Sequence, residues 1–416
     1  MTSPAASSGP EDSLPAGPGP ANSPTDPTPE DWAARADEAA RSVTRMFGHR
    51  LFFLPGTHIG AIVRPSSGWK DLLRPWHYWW QAHYVDCLVD AGRRELASGR
   101  KFDGGTRPSA GRLASRLVTG IRLRNFLTFV NNYYDDMAWL ALATLRLEKL
   151  AEDSRSRGRR RNAGALKSLT LQFDSASTDD LGGGTFWSKK RDFKNTPATA
   201  PVALYYARTG NQARAQGLLD WLHAKLYDPA RGMYQDGLRI GRDGQVVLES
   251  AIYTYNQGPV LAALLEVGGR DNLGRAAALV DAVAAGLTRP VTLAAGGTAA
   301  ALRCDGTGDG GLFTGILARY LALAAVDGRL PARTRAAAAA LVMATAEGLW
   351  EGRRRVAQED PVGRRGAGLV FAALPETPAV RSYPPGTAVE LSTQLQAWMV
   401  LEAAAVVSAG RPGRPA

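Results

Sequence analysis

From residue 30 onward the chain alternates long segments, in which apolar residues recur with the period of a helix, and short breaks rich in Gly, Pro and Asp. Runs that alternate β-branched and polar residues are scarce, so the pattern predicts an all-α body with no convincing sheet. Twelve helices are read, over 30–46, 70–97, 111–129, 135–152, 163–174, 196–208, 211–226, 254–267, 271–287, 311–326, 332–350 and 390–408, which makes six hairpins. Met137–Ala143 (MAWLALA) and Val260–Leu265 (VLAALL) are apolar on every side, as a helix enclosed by other helices must be. Ala33–Arg45 and Arg333–Glu347 carry charge on one face. An inner ring of enclosed helices and an outer ring of amphipathic ones is an (α/α)6 toroid, whose helix ends and loops shape a cleft at one rim. An open helical solenoid is the alternative, but the sequence shows no repeat of about 34 or 40 residues.

Length and composition narrow the function. A chain of 416 residues, 45% of them apolar, can bury a large core, and residues 30–410 are read as one domain. Residues 1–29 are rich in Pro, Ser, Gly and Ala with few large apolar side chains, and are expected to be a disordered tail. The net charge is +11, and because residues 1–30 hold four acids and no base, the body carries about +15. The arginines are scattered rather than laid along one face, so no nucleic-acid partner is expected. Arg155, Arg157, Arg159, Arg160 and Arg161 are placed in one loop after a helix, at the end of the toroid away from the cleft, where they could dock weakly on an anionic surface. No stretch is long and apolar enough for a membrane span, and no signal peptide is seen, so an integral membrane segment is excluded and a cytoplasmic location is expected. Cys87 and Cys304 lie in no CxxC, and the five histidines form no HExxH, so neither a metal nor a cofactor is expected. The glycines at 182–184 lack the Gly-Lys-Ser/Thr of a phosphate loop, and Asp305–Gly311 departs from calcium-loop spacing and is read as a turn.

Chemistry concentrates in four segments. In Phe129–Trp139, two adjacent carboxylates, Asp135 and Asp136, open a helix that is otherwise apolar. One Asp in a first turn is an ordinary cap, but two consecutive helical side chains diverge by about 100°, which sets their carboxyl carbons roughly 5–7 Å apart. That range overlaps the spacing of about 5–5.5 Å used by retaining glycosidases. Aromatics crowd the same neighbourhoods: Trp79 stands beside Gln81 and His83 in WHYWWQAH, and Asn132 and Tyr134 precede the aspartates. Sugar rings offer apolar C–H faces edged by hydroxyls, so flat rings beside amides and carboxylates suit a carbohydrate cleft. Tyr253, Tyr255, Asn256 and Gln257 head another apolar helix, and Trp187 and Asn195 flank the start of the helix over 196–208. Each group has a plain structural alternative in core packing, a polar turn or a cap.

The motifs WHYWWQAH, NNYYDDMAWLALA, GGTFW with KNTPA, YTYNQGPVLAALLE, GDGGLFTGILARYL and LSTQLQAW follow in that order over residues 70–400. Together they resemble glycoside hydrolase family 76. The resemblance implies an (α/α)6 barrel acting as an endo-α-1,6-mannanase that retains anomeric configuration and needs no metal, with Asp135 as nucleophile and Asp136 as general acid/base. It also leaves transglycosylation of mannan-type glycans open, since fungal relatives are thought to remodel mannan that way. A monomer with an α-mannan or manno-oligosaccharide substrate is expected, and a glycan-binding protein that lost turnover is the alternative from another class.

Elementary electrostatics adds a constraint. A helix N-terminus is expected to depress both carboxyl pKa values, while mutual repulsion raises one of them. Asp136, which begins the apolar stretch, is the one expected to be desolvated and kept protonated.

Overall fold

The computed structural model describes residues 29–65, 75–105, 108–156, 159–363 and 366–410. The tail at 1–28 and Arg157 lie outside these residues. Among the described residues there are twelve long α-helices, one short α-helical turn and two 3-10 turns. The inner helices are α2 (Tyr78–Ser98), α4 (Tyr134–Asp153), α6 (Thr196–Arg208), α8 (Thr254–Val267), α10 (Gly310–Val326) and α13 (Leu391–Ala409). The outer ones are α1 (Pro29–Met46), α3 (Ala110–Arg124), α5 (Arg159–Ala176), α7 (Gln212–Leu226), α9 (Arg270–Gly286) and α11 (Ala332–Glu351), and α12 (Ala379–Ser382) is the short turn. Each inner helix packs on the next, α2 on α4, α6, α8, α10, α13 and back on α2, so the inner ring is closed. Every inner helix also carries one outer partner, and α1 closes the sequence by packing on α13. This is the (α/α)6 toroid.

The two rings follow from the side chains. On α13, every residue from Leu391 to Ala405 is buried, because neighbours lie on all sides. On α1, Trp32, Ala36, Ala39, Ala40, Val43 and Met46 form one buried stripe at helical spacing. Half-way along the bore, Asp86 and Asp90 of α2 meet Arg146 of α4 and Arg319 of α10. Arg319 reaches the two carboxylates at 2.9 and 2.7 Å. Beyond this charged plug, at the C-terminal ends of the inner helices, a cavity of about 810 Å³ is walled by Leu142, Leu323 and Val406.

Buried glutamines fix loops to helix starts. Gln81 of α2 accepts from the Gly60 N–H (2.8 Å) and donates to the Gly60 carbonyl (3.0 Å). Gln257 of α8 brackets Tyr234 in the same way (2.9 and 2.8 Å), and Gln394 of α13 brackets Phe371 (2.9 and 3.0 Å). Each therefore supplies the pairing that an isolated extended residue lacks in a helical protein.

The expectation of no sheet is corrected: short antiparallel ribbons sit in the loops, with strands of only two to five residues, too short to show a period of two. The three-stranded one joins Phe193–Asn195, Gly237–Ile240 and Val246–Glu249, and aligns Asn195, Gly237 and Glu249 across the strands. A side chain at Gly237 would meet the Asn195 Cβ and the Lys194 carbonyl at 2.7 Å, so the close approach requires glycine. Helix α2 starts at Tyr78 rather than residue 70, after His77 in left-handed backbone (φ 44°). Helix α3 stops at Arg124 rather than 129, before Phe126 and Leu127, which are also left-handed. Arg159–Arg161 belong to the start of α5 rather than to a loop.

Candidate active site

The N-terminal ends of the inner helices surround a cleft of about 510 Å³. Helix α4 contributes Asp135 and Asp136 from its first turn and Trp139 one turn further on. Asp135 accepts hydrogen bonds from Trp187 Nε1 (3.0 Å) and from the backbone N–H of Asp136 (2.9 Å). Asp136 accepts one from Asn131 Nδ2 (2.7 Å). Trp187 itself is fixed by the backbone, since Tyr134 N–H donates to its carbonyl (2.8 Å) and its own N–H donates to Phe193 (2.7 Å).

Both carboxyls are raised above the ordinary carboxylate range, and the expected depression by the helix N-terminus is overturned. Burial dominates for Asp135, pushing it up to about 7 against the hydrogen bonds from Asp136 N–H and Trp187. Burial also dominates for Asp136, and the neighbouring charge of Asp135 pushes it higher still, against the Asn131 amide. The expected ordering, Asp136 the more firmly protonated, matches this direction. The pair shares one environment and titrates as a unit.

A third carboxylate, Asp309 at the start of α10, lines the same cleft. Burial pushes it up, but donors outweigh burial and hold it below the ordinary range: His77, Trp80 Nε1 at 2.8 Å and Trp79 Nε1 at 3.2 Å. It is therefore held as the carboxylate at neutral pH. Asp236, beside the small sheet, is pushed up to about 6 by burial although Asn256 Nδ2 donates to it at 3.2 Å. Arg239 pairs with Glu249 on adjacent strands, and both line the cleft. Tyr255 stacks on Phe313 with centroids 3.9 Å apart and planes at 13°, which gives a flat apolar wall.

Of the residues singled out from the sequence, Asp135, Asp136, Trp79, Trp187, Asn195 and Tyr255 line the cleft. Asn195 also caps α6, accepting from Ala198 N–H at 3.1 Å. The rest lie elsewhere. Gln81 and Gln257 are fully buried with their amides spent on backbone groups, and Tyr134 is buried in the core. His83 is buried behind the wall between Trp79 and Trp139, and burial pushes its imidazole down to about 3, so it is neutral. Asn256 is buried too and reaches the cleft only through Asp236. Tyr253 packs edge-on behind Phe313 (5.6 Å), and Asn132 is exposed outside the cleft, its carbonyl held by Lys189 N–H (2.9 Å). Tyr78 and Tyr133, in the same aromatic clusters, line the cleft too, whereas His77, Phe193, Asp236, Arg239, Glu249, Asp309 and Phe313 were missed from the sequence. Three of these had a signal: His77 stands in WHYWWQAH, Phe313 in GDGGLFTGILARYL, and Asp309 both there and in the Asp305–Gly311 run read as a turn. Among the described residues no cluster of His, Cys, Asp or Glu could hold a metal ion, and no helix is long and apolar enough to cross a membrane.

Six parallel inner helices that present adjacent carboxylates to an aromatic cleft define an (α/α)6 glycoside hydrolase. The chain belongs to glycosyl hydrolase family 76, whose family model matches residues 31–365. It is similar in structure to the GH76A α-1,6-mannanase of Salegentibacter sp. HEL1_6, with 26% identity, a TM-score of 0.70, and coverage of 91% of this chain and 100% of that one. An inactive variant of that enzyme, with two consecutive aspartates changed to asparagine and in complex with α-1,6-mannotriose, matches with 26% identity, a TM-score of 0.69 and the same coverage. The family 76 mannosidase Bt3792 of Bacteroides thetaiotaomicron VPI-5482 shares the fold at 17% identity, with a TM-score of 0.69 over 90% of this chain and 98% of that one. No curated protein sequence matches.

Proposed function

We propose that the protein is a retaining endo-α-1,6-mannosidase that cleaves α-mannan or manno-oligosaccharides by double displacement. The observation that carries this reading is the asymmetry of the adjacent pair. Asp135 faces a Trp187 N–H that stabilises its carboxylate, whereas Asp136 is the member that burial and the neighbouring charge keep protonated. Asp135 attacks the anomeric carbon as the carboxylate, and Asp136 protonates the departing glycosidic oxygen. A water then enters, Asp136 takes its proton, and the glycosyl ester on Asp135 is released with the original configuration. Tyr255, Phe313 and Trp187 present apolar faces to sugar rings, and Asp309, Asp236 and Asn195 offer acceptors for their hydroxyls.

The similarity to an α-1,6-mannanase supports the choice of glycan, and the inactive variant of that enzyme supports the choice of residues. This chain has two pairs of consecutive aspartates, 135–136 and 179–180, and the second is exposed and outside the cleft. Azide rescue is the test: Asp135→Ala should regain turnover on an activated α-mannoside and yield the β-mannosyl azide, whereas Asp136→Ala should yield the α-azide. The opposite assignment of products would exchange the two roles.

A further inference from the structure

Two loops away from the catalytic pair show large apolar side chains to solvent. Phe52, Phe53 and Leu54 are 58, 88 and 45% exposed, and Phe126 and Leu127 are 89 and 64% exposed. In each loop two consecutive bulky residues hold left-handed backbone, with φ of 45° at Phe52, 61° at Phe53, 53° at Phe126 and 64° at Leu127. That conformation is strained for any residue with a Cβ, and side chains this exposed repay little of the strain through packing.

Both loops are tied to α3. The first closes a hairpin in which Gly48–His49 pairs with Ile59–Gly60, and His58 N–H donates to the Arg116 carbonyl of α3 (3.1 Å). The second follows α3 directly, with Arg122 Nε donating to the Leu127 carbonyl (2.9 Å). It leads to the cleft, because the Phe129 carbonyl accepts from the hydroxyl of Tyr78, which lines the pocket (2.8 Å). Charge in the described segments that carry the loops has one sign: residues 39–65 and 108–134 hold eight Arg and no Asp or Glu. Arg50, Arg112 and Arg122 are exposed.

We propose that these loops are a lipid-docking surface: Phe53 and Phe126 insert into the interface of an anionic bilayer, the flanking arginines meet headgroup phosphates, and the cleft is held near glycans carried on that surface. Apolar tips on segments whose only charged residues are arginines match the layering of such a bilayer, apolar within and negative at the surface. A second sugar platform fits less well, since Leu54 and Leu127 offer no flat face and Phe no hydrogen bond. The proposal does not depend on which glycan the cleft accepts.

The test is sedimentation of the full chain with vesicles of phosphatidylcholine alone or mixed with phosphatidylglycerol. Wild type should bind the mixed vesicles at least about tenfold more tightly than the neutral ones, with binding weakened but not abolished by high salt. A Phe53→Gly, Phe126→Gly variant should lose at least about tenfold in affinity and melt at a higher temperature, because glycine relieves the left-handed strain. Arg50→Gln with Arg122→Gln should weaken binding and flatten its salt dependence. Absence of wild-type binding to mixed vesicles at low salt would overturn the proposal. So would equal binding to neutral vesicles, undiminished binding by the glycine variant, or a lower melting temperature for it. Retention of wild type on immobilised mannan or an acidic protein that depends on the two Phe, with no vesicle binding, would replace lipid by that partner.

Discussion

Replacing Asp135, the proposed nucleophile, should stabilise the fold at neutral pH while it removes activity. Asp135 is raised from an ordinary carboxyl to about 7, so between about pH 4 and 7 the folded chain binds more protons at this site than the unfolded chain. For an acid raised on folding, stability is lost as pH climbs through that window and stays lost above it. A rise of about three pKa units corresponds to about 4 kcal/mol once the group is ionised. Asp135→Asn removes this penalty, but its single oxygen cannot keep both the Trp187 and the Asp136 N–H bonds on the separate atoms they now occupy. Loss of one bond costs about 1 kcal/mol, leaving a gain of about 2–3 kcal/mol. For a domain of this size that raises the melting temperature by about 2–4 °C. Thermal unfolding of wild type and variant at pH 8 and pH 4 checks it. The gain should be present at pH 8 and vanish or reverse at pH 4, where the folded carboxyl is already neutral. A variant that melts below wild type at pH 8, or a difference independent of pH, would refute the reasoning.

Other expectations follow from the same geometry. Trp187→Phe keeps the ring but deletes the donor to Asp135, so the acid limb of the kcat/KM profile should move to higher pH and kcat should fall; an unmoved limb would show that the bond does not set the carboxyl. Gln257→Ala leaves the buried N–H and carbonyl of Tyr234 unpaired, which should cost about 2–4 kcal/mol in denaturant unfolding with KM little changed; a raised KM at full stability would return Gln257 to the binding site. Lys194→Met strands the Thr178, Asp180 and Gly183 carbonyls that its Nζ holds at 2.7, 2.7 and 2.8 Å, and should lower both the melting temperature and turnover, because that loop leads into Trp187.

The helices were legible because each is long enough for its apolar stripe or all-round burial to show in the sequence, as Trp32 to Met46 and Leu391 to Ala405 illustrate. Asp135 and Asp136 were legible for a related reason, since paired carboxylates contrast with the apolar helix they open. What stayed hidden depends on contacts between distant segments. Asp236 and Glu249 reach the cleft through three strands of three or four residues, and Asp309 is defined by Trp79 and Trp80, more than two hundred residues away. Gln81 and Gln257 misled because a polar residue at a helix start is equally suited to a ligand or to an orphaned strand. The sign of the pair's pKa shift was missed because burial of the helix start, which outweighs the helix dipole, is a property of the assembled ring.

The central claim is that this cleft cleaves α-1,6-mannan through Asp135 and Asp136 with retention. The most direct measurement follows linear α-1,6-mannan by proton NMR from the first moments of reaction, with wild type and with Asp135→Asn and Asp136→Asn. Wild type should release internal fragments whose new reducing ends appear first as the α-anomer, and both variants should be slower by several orders of magnitude. First appearance of the β-anomer, an intact polymer with wild type, or near-normal cleavage by either variant would contradict it.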